Sequence, residues 1–168
     1  MSGDHADQRE IESYYQSLST LIRLHGAEHL ATQYVVMRLT RMEATGPLDF
    51  SDIQRVLRGV TDHRTWYPAW RAEAVEAEET AERFLEEGRT VSAGDMFHRA
   101  SACHHWGAYL ARFGSEQKAE GRSERVRAYR RAVECFSADI EPVSVPFEIT
   151  VVPLGTVARI AYVALSVG

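Results

Sequence analysis

Trp66-Tyr-Pro-Ala-Trp-Arg-Ala-Glu-Ala-Val-Glu-Ala-Glu-Glu-Thr-Ala-Glu-Arg-Phe-Leu-Glu-Glu-Gly88 is the stretch on which the fold turns. Trp66, Trp70, Ala77, Ala81, Phe84 and Leu85 return at three- and four-residue steps and their sums, the repeat of one face of an α-helix. Pro68 suits a first turn, where a missing N–H costs nothing, and Gly88 is a stop signal. The other face carries the glutamates at 73, 76, 78, 79, 82, 86 and 87. The segment therefore reads as an amphipathic helix with an acidic solvent side.

Working outward, Thr90-Val-Ser92 opens a second helix. It runs through Met96, Phe97, Ala100, Cys103, His104, Ala108 and Ala111 to Gly114. After a polar turn at 115–121, a third helix over 122–138 places Val126, Tyr129, Val133 and Phe136 inward. Upstream, Ile11, Tyr14, Tyr15, Leu18, Leu21 and Ile22 mark a helix over 9–25. Ala31, Val35, Leu39 and Met42 mark another over 28–43, and Ile53, Val56, Leu57 and Val60 follow the N-cap candidates Asp49 and Ser51. Short connections, with Ala93, Gly94, Ala100 and Ala132 at crossing points, imply antiparallel helical hairpins. No 34-residue period repeats its key positions, so a repeat array is not the expected form.

From Glu141 the character changes. Residues 143–168 hold Glu148 and Arg159 as their only charges and are rich in Val, Ile and Thr, with Pro146, Pro153 and Gly155 as punctuation. This predicts two strands around a turn. The expected fold is thus mainly α: an antiparallel helical bundle with a C-terminal β-hairpin. It is arranged as an N-terminal helical pair (1–48), a cap-like bundle (49–140) and the hairpin (141–168), forming one compact unit. A lone hairpin is marginal in water and its edges invite pairing, so residues 143–168 predict a homo-oligomer, most simply a symmetric dimer.

The 168 residues, 45% hydrophobic and 26% charged, suffice for one globular core. Nineteen Lys and Arg against 24 Asp and Glu leave a net charge of -5. That balance argues against a nucleic-acid or membrane-surface partner held by bulk charge. The N-terminus has neither a basic nor an apolar leader region, and no apolar run is long enough to span a bilayer, so the expected location is cytoplasmic. Cys103 and Cys135 lie in apolar helical patterns and read as reduced, packed thiols.

No chemistry-bearing motif is complete. There is no G-x-S-x-G elbow, phosphate-cradling glycine loop, H-E-x-x-H or C-x-x-C. No catalytic residue and no cofactor is assigned on these grounds. Cys103, His104 and His105 are adjacent on a helix and point about 100° apart, so they cannot converge on one ion without help from elsewhere, and no metal is expected. His104 shares a face with Phe97, Ala100 and Ala108 and reads as a hydrogen-bonded core or pocket histidine, whereas His98 and His105 read as solvated. Trp66, Tyr67, Trp70, Trp106 and Tyr109 could line a cavity for a flat apolar ligand, although aromatic stripes at helical spacing more often form core. Segment 71–87 has a net charge of -5 and segment 118–131 of +4. The two could face each other, but surface pairs contribute only ~0 to 1 kcal/mol each, so solvated faces are the simpler reading.

Five segments in order carry a resemblance. They are Trp66-Tyr-Pro-Ala-Trp70, Val91-Ser-Ala-Gly-Asp95, Arg99-Ala-Ser-Ala-Cys-His-His105, Ala128-Tyr-Arg-Arg-Ala-Val-Glu-Cys-Phe136 and Pro142-Val-Ser-Val-Pro-Phe-Glu148. Together, residues 49–155 resemble the N-terminal helical cap of the 2,6-dihydroxypseudooxynicotine hydrolases and the fermentation-respiration-switch esterases, a group of α/β-hydrolases. The resemblance implies a cap and substrate-pocket module for hydrolysis of ester or acyl C–C bonds. In that group serine, acid and histidine lie on a catalytic domain following the cap, and none has a counterpart in this sequence. The substrate-facing role carries over to Trp66, Trp70, His104 and Tyr109. The expected partner is a second copy, or a separate hydrolase core chain, with a small apolar or aromatic molecule as ligand. Two rivals remain open: a non-catalytic dimeric binding or scaffold protein, and a small cyclase-like enzyme using His104 in the cap cavity.

Overall fold

The computed structural model describes residues 3–27, 46–112, 114–136 and 140. The chain divides into two units, Met1–Ala138 and Asp139–Gly168, and of the second Ile140 alone is among the described residues. The first unit holds α1 (Gly3–His25), α2 (Phe50–Arg58), α3 (His63–Glu86), α4 (Thr90–Gly107) and α5 (Glu116–Cys135). The helix expected at 28–43 lies outside the described residues.

The described residues contain no strand, which corrects the expected fold class. The helical bundle is present. The C-terminal β-hairpin is not supported: its residues lie outside those described, and the described helices offer no strand for it to join. Two strands on their own are marginal, so a Val, Ile and Thr pattern is weak ground for β-structure beside an all-helical unit.

Side-chain caps set where the helices begin. Asp49 accepts from the Asp52 amide while Asp52 reaches back to the Asp49 amide, a reciprocal box that starts α2. Asp62 does the same for α3 with Thr65. This box starts α3 three residues before Trp66, so Pro68 falls in the second turn, on the exposed side, rather than in the first. Gly88, at φ +72°, makes the tight turn into α4.

α4 packs against both α3 and α5. Trp66, Trp70, Cys103 and Trp106 form one end of the core with Leu18 and Ile22 of α1 and Ile53 and Leu57 of α2. Each indole removes about 150–250 Å² from water, worth roughly 4 to 6 kcal/mol before entropy is counted. The middle layer is Ala77, Ala100 and Ala128, and the far layer joins Ala81, Ala93, Phe97, Ala132 and Cys135. Small residues thus let three helices approach closely. α5 accordingly turns Gly121, Ala128, Ala132 and Cys135 inward, leaves Val126 42% exposed, and keeps Tyr129, Val133 and Phe136 at the margin. The expected inward stripe of large residues is off by a fraction of a turn.

Candidate functional site

His104 of α4 is buried at 3% exposure. Its Nε2 donates to Glu78 Oε1 of α3 at 3.0 Å, since a carboxylate only accepts. Glu78 also takes Arg127 of α5 at 2.9 Å, and Arg127 reaches Glu124 at 2.5 Å. Burial alone would raise the Glu78 carboxyl, but the His104 hydrogen bond and the Arg127 charge outweigh it and hold the group below its usual range. One turn along, Arg131 forks onto both oxygens of Glu82 at 2.9 and 3.1 Å. The acidic and cationic helices therefore face one another, and His104 joins this network at Glu78.

Glu78, His104 and Glu124 offer three ligand atoms within 4.8 Å of one another. Arg127 sits among them and already pairs with both carboxylates. A metal-bound imidazole also normally donates from its other nitrogen to an acceptor, whereas His104 Nδ1 is buried without a partner. The trio is built as an ion-pair network and fits a metal poorly.

A second network escapes sequence reading. Glu73, assigned to the acidic solvent face, is 7% exposed, and Asp52 of α2 is 3% exposed. Arg99 of α4 bonds both at 2.6 Å, while Arg55 bonds Asp52 at 3.1 Å and grips Glu73 through Nε and Nη2. Burial pushes the Glu73 carboxyl up, and the two guanidiniums more than reverse that. The arrangement clamps α2, α3 and α4, and nothing in it is free to react. Burial pushes the neighbouring Cys103 thiol far up, so it is packed and inert.

Of the four residues expected to face substrate, Trp66 lines the cavity beside the start of α3, and Trp70, His104 and Tyr109 are not among its described walls. Trp66 Nε1 donates to the Trp106 carbonyl at 2.8 Å. Trp70 is wholly buried, its ring 5.9 Å from that of Trp66. Tyr109 is half-buried against Trp106 at 5.2 Å. The cavity, about 310 Å³, opens where α1, the start of α3, the end of α4 and the start of α5 meet, with Tyr15, His63, Trp66 and Tyr67 in its walls. His63 Nδ1 and Ser19 Oγ share a hydrogen bond of 2.5 Å, and the Tyr15 ring stacks on His63 at 4.9 Å and 17°. Burial lowers the His63 pKa, so the imidazole stays neutral. Burial, and then Glu120, push the Tyr67 phenol up to about 12. His98, expected in solvent, lies half-buried with its edge against Tyr129 and Phe136. Among the described residues no helix is long and apolar enough to cross a membrane.

No family model matches this chain. Over 77 residues, 46% of this chain and 20% of the relative, it is 30% identical to the 2,6-dihydropseudooxynicotine hydrolase of Paenarthrobacter nicotinovorans. It is 21% identical over 117 residues to the alpha/beta hydrolase xenA of Xenoacremonium sinensis, covering 68% of this chain and 28% of that protein. Among solved structures, that of the 2,6-dihydroxy-pseudo-oxynicotine hydrolase matches with a TM-score of 0.50 and 27% identity, over 56% of this chain and 26% of the other. The chain thus matches only 20% to 28% of the length of these relatives. These likenesses relate a fragment of this chain to the 2,6-dihydroxypseudooxynicotine hydrolase group of α/β-hydrolases.

Proposed function

We propose that the bundle of α2 to α5 is a lid and pocket wall of the kind that covers α/β-hydrolase active sites, for hydrolysis of ester or acyl C–C bonds by a nucleophile from outside the bundle. The observation that carries this reading is the match of sequence and fold to part of the 2,6-dihydroxy-pseudo-oxynicotine hydrolase. Such a lid excludes water and shapes specificity. The Ser19–His63 pair supplies no nucleophile in this reading. Ser19 is nearly buried in mid-helix, where the neighbouring amides are spent on α1 itself and none is left to hold an oxyanion. His104 is buried and bonded to Glu78, which weighs against a cyclase-like step through that residue.

In this reading the chain pairs with a second copy through 143–168, or presents the lid to a separate hydrolase core chain. The alternative, a binding or scaffold module with no catalytic role, is favoured by one observation: every described wall of the cavity comes from the helical unit. The test is a chimera in which residues 49–136 replace the matching segment of the 2,6-dihydroxy-pseudo-oxynicotine hydrolase. A folded chimera should turn over aryl esters with a changed order of preference. A folded chimera no better than the same hydrolase with that segment deleted would refute the lid. The isolated chain should show no ester turnover sensitive to a serine-directed inhibitor, and light scattering should report more than the 18.9 kDa of one chain.

A further inference from the structure

The cavity at the start of α3 combines features that the lid reading does not use. We propose that it binds a small organic anion with a flat aromatic body, an aryl carboxylate being the simplest of the class. Its volume, about 310 Å³, is at the lower end of the ~300–1,000 Å³ of ligand pockets, suited to a single substituted ring. Tyr15, Trp66 and Tyr67 supply aromatic walls against which such a ring packs.

Charge selects the anion. Arg64 and Arg112 both line the cavity, Arg112 being already engaged by another group, and no described lining residue is a carboxylate, in a chain of net charge -5. Arg64 is exposed and has no ion-pair partner among the described residues. The nearest carboxylate in sequence, Asp62, is spent on the Arg64 and Thr65 amides as the α3 cap. The first turns of α3 and α5 both reach the cavity through His63, Arg64 and Gln117.

The imidazole of His63 has one ring nitrogen engaged by Ser19 and the other available to a ligand. Ser17 and Thr20 give their hydroxyl protons to the carbonyls four residues back, but Ser19 bonds His63 Nδ1 instead. In the tautomer in which that hydroxyl donates to Nδ1, the ring proton resides on Nε2, which has no protein partner among the described residues. A carboxylate at the cavity would accept from Nε2 and from the Arg64 guanidinium while its ring lies between the aromatic walls. The proposal concerns what the cavity holds and stands whether or not the bundle acts as a lid.

The test is calorimetric titration of the full chain, at fixed pH and ionic strength, with benzoate, benzamide and acetate. Benzoate should bind saturably, and benzamide, of the same shape without the charge, at least about tenfold more weakly, as charge-assisted hydrogen bonding requires. Acetate, the charge without the ring, should be weaker as well. Arg64→Gln, at an exposed position that leaves the fold intact, should cost benzoate about tenfold, a difference of ~1.4 kcal/mol. Ala111→Trp should fill the cavity and abolish binding while circular dichroism is unchanged. No saturable heat with benzoate, equal affinity for benzamide, or unchanged affinity in Arg64→Gln would each overturn the proposal. Binding of benzoate by the chain beside a chimera that fails as a lid would leave it standing and remove the lid alone.

Discussion

Arg99 and Arg131 are both paired arginines, and burial gives them different weight. Arg99 holds two carboxylates that are almost out of water, Asp52 and Glu73, and keeps 18% of its own side chain exposed. Arg99→Met leaves those two charges together with Arg55 alone. A broken buried pair costs about 3 to 5 kcal/mol, and the residual exposure of Arg99 puts the expected loss at the lower end, ~3 kcal/mol. Arg131 pairs with half-exposed Glu82 at the surface and lays its guanidinium over the Phe97 ring at 4.4 Å, so Arg131→Ala should cost about 1 to 2 kcal/mol, still less than Arg99→Met. Urea unfolding of both variants checks the contrast, and equal losses would show that burial does not set the worth of these pairs.

At the scale of elements, the approach of α4 and α5 depends on glycine. A Cβ at Gly121 would sit 2.5 Å from the Cβ of Ala108 and 3.3 Å from the His104 carbonyl, neither of which is the mobile end of a long side chain. Gly→Ala inside a helix normally gains ~0.5 to 1 kcal/mol, but overpacking costs ~1 to 3 kcal/mol, so Gly121→Ala should be net destabilising. A raised melting temperature would mean that α5 moves aside freely. The same glycine explains what the residue pattern conceals. The face of α3 was legible because Trp66 and Trp70 are large and their spacing unambiguous. The face of α5 was not, because Gly121, Ala128 and Ala132 carry almost no hydrophobic signal while Val126 carries much and is exposed. Glu73 was misread for a related reason: its partners, Arg55 and Arg99, lie 18 and 26 residues away, beyond any local pattern. Of the four expected pocket residues, Trp66 alone lines the described cavity, since Tyr15 and His63 meet only once α1 folds across the start of α3.

For the molecule as a whole, these local environments fix how stability responds to acid. His63 titrates below its ordinary 6.5 because burial disfavours the imidazolium, so its contribution is complete above about 6.5 and is lost as pH falls through the lowered native value. His98 shifts the same way for the same reason, with Asp95 opposing it. Glu73 and Glu78 titrate below 4.5, so the stability they lend is complete above that value and disappears as pH falls through their native values. The sign is common to all four groups: acid destabilises. Lower pH also relieves the self-repulsion of a chain of net charge -5, which opposes the histidine step and makes it shallow. Calorimetric melting temperatures should therefore be level near pH 7 to 8, decline gently below about 6.5, and fall steeply below about 4.5 as the carboxylates of the buried networks take up protons. His63→Asn should flatten the gentle part by removing the imidazole that must stay neutral against Tyr15, and leave the steep part in place. Glu73→Gln should start lower at pH 7, because Arg55 and Arg99 lose their charged acceptor, and fall less steeply in acid. A melting temperature that rises between pH 6.5 and 5, or a steep acid limb unchanged in Glu73→Gln, would mean that charge repulsion rather than these buried groups governs the acid response.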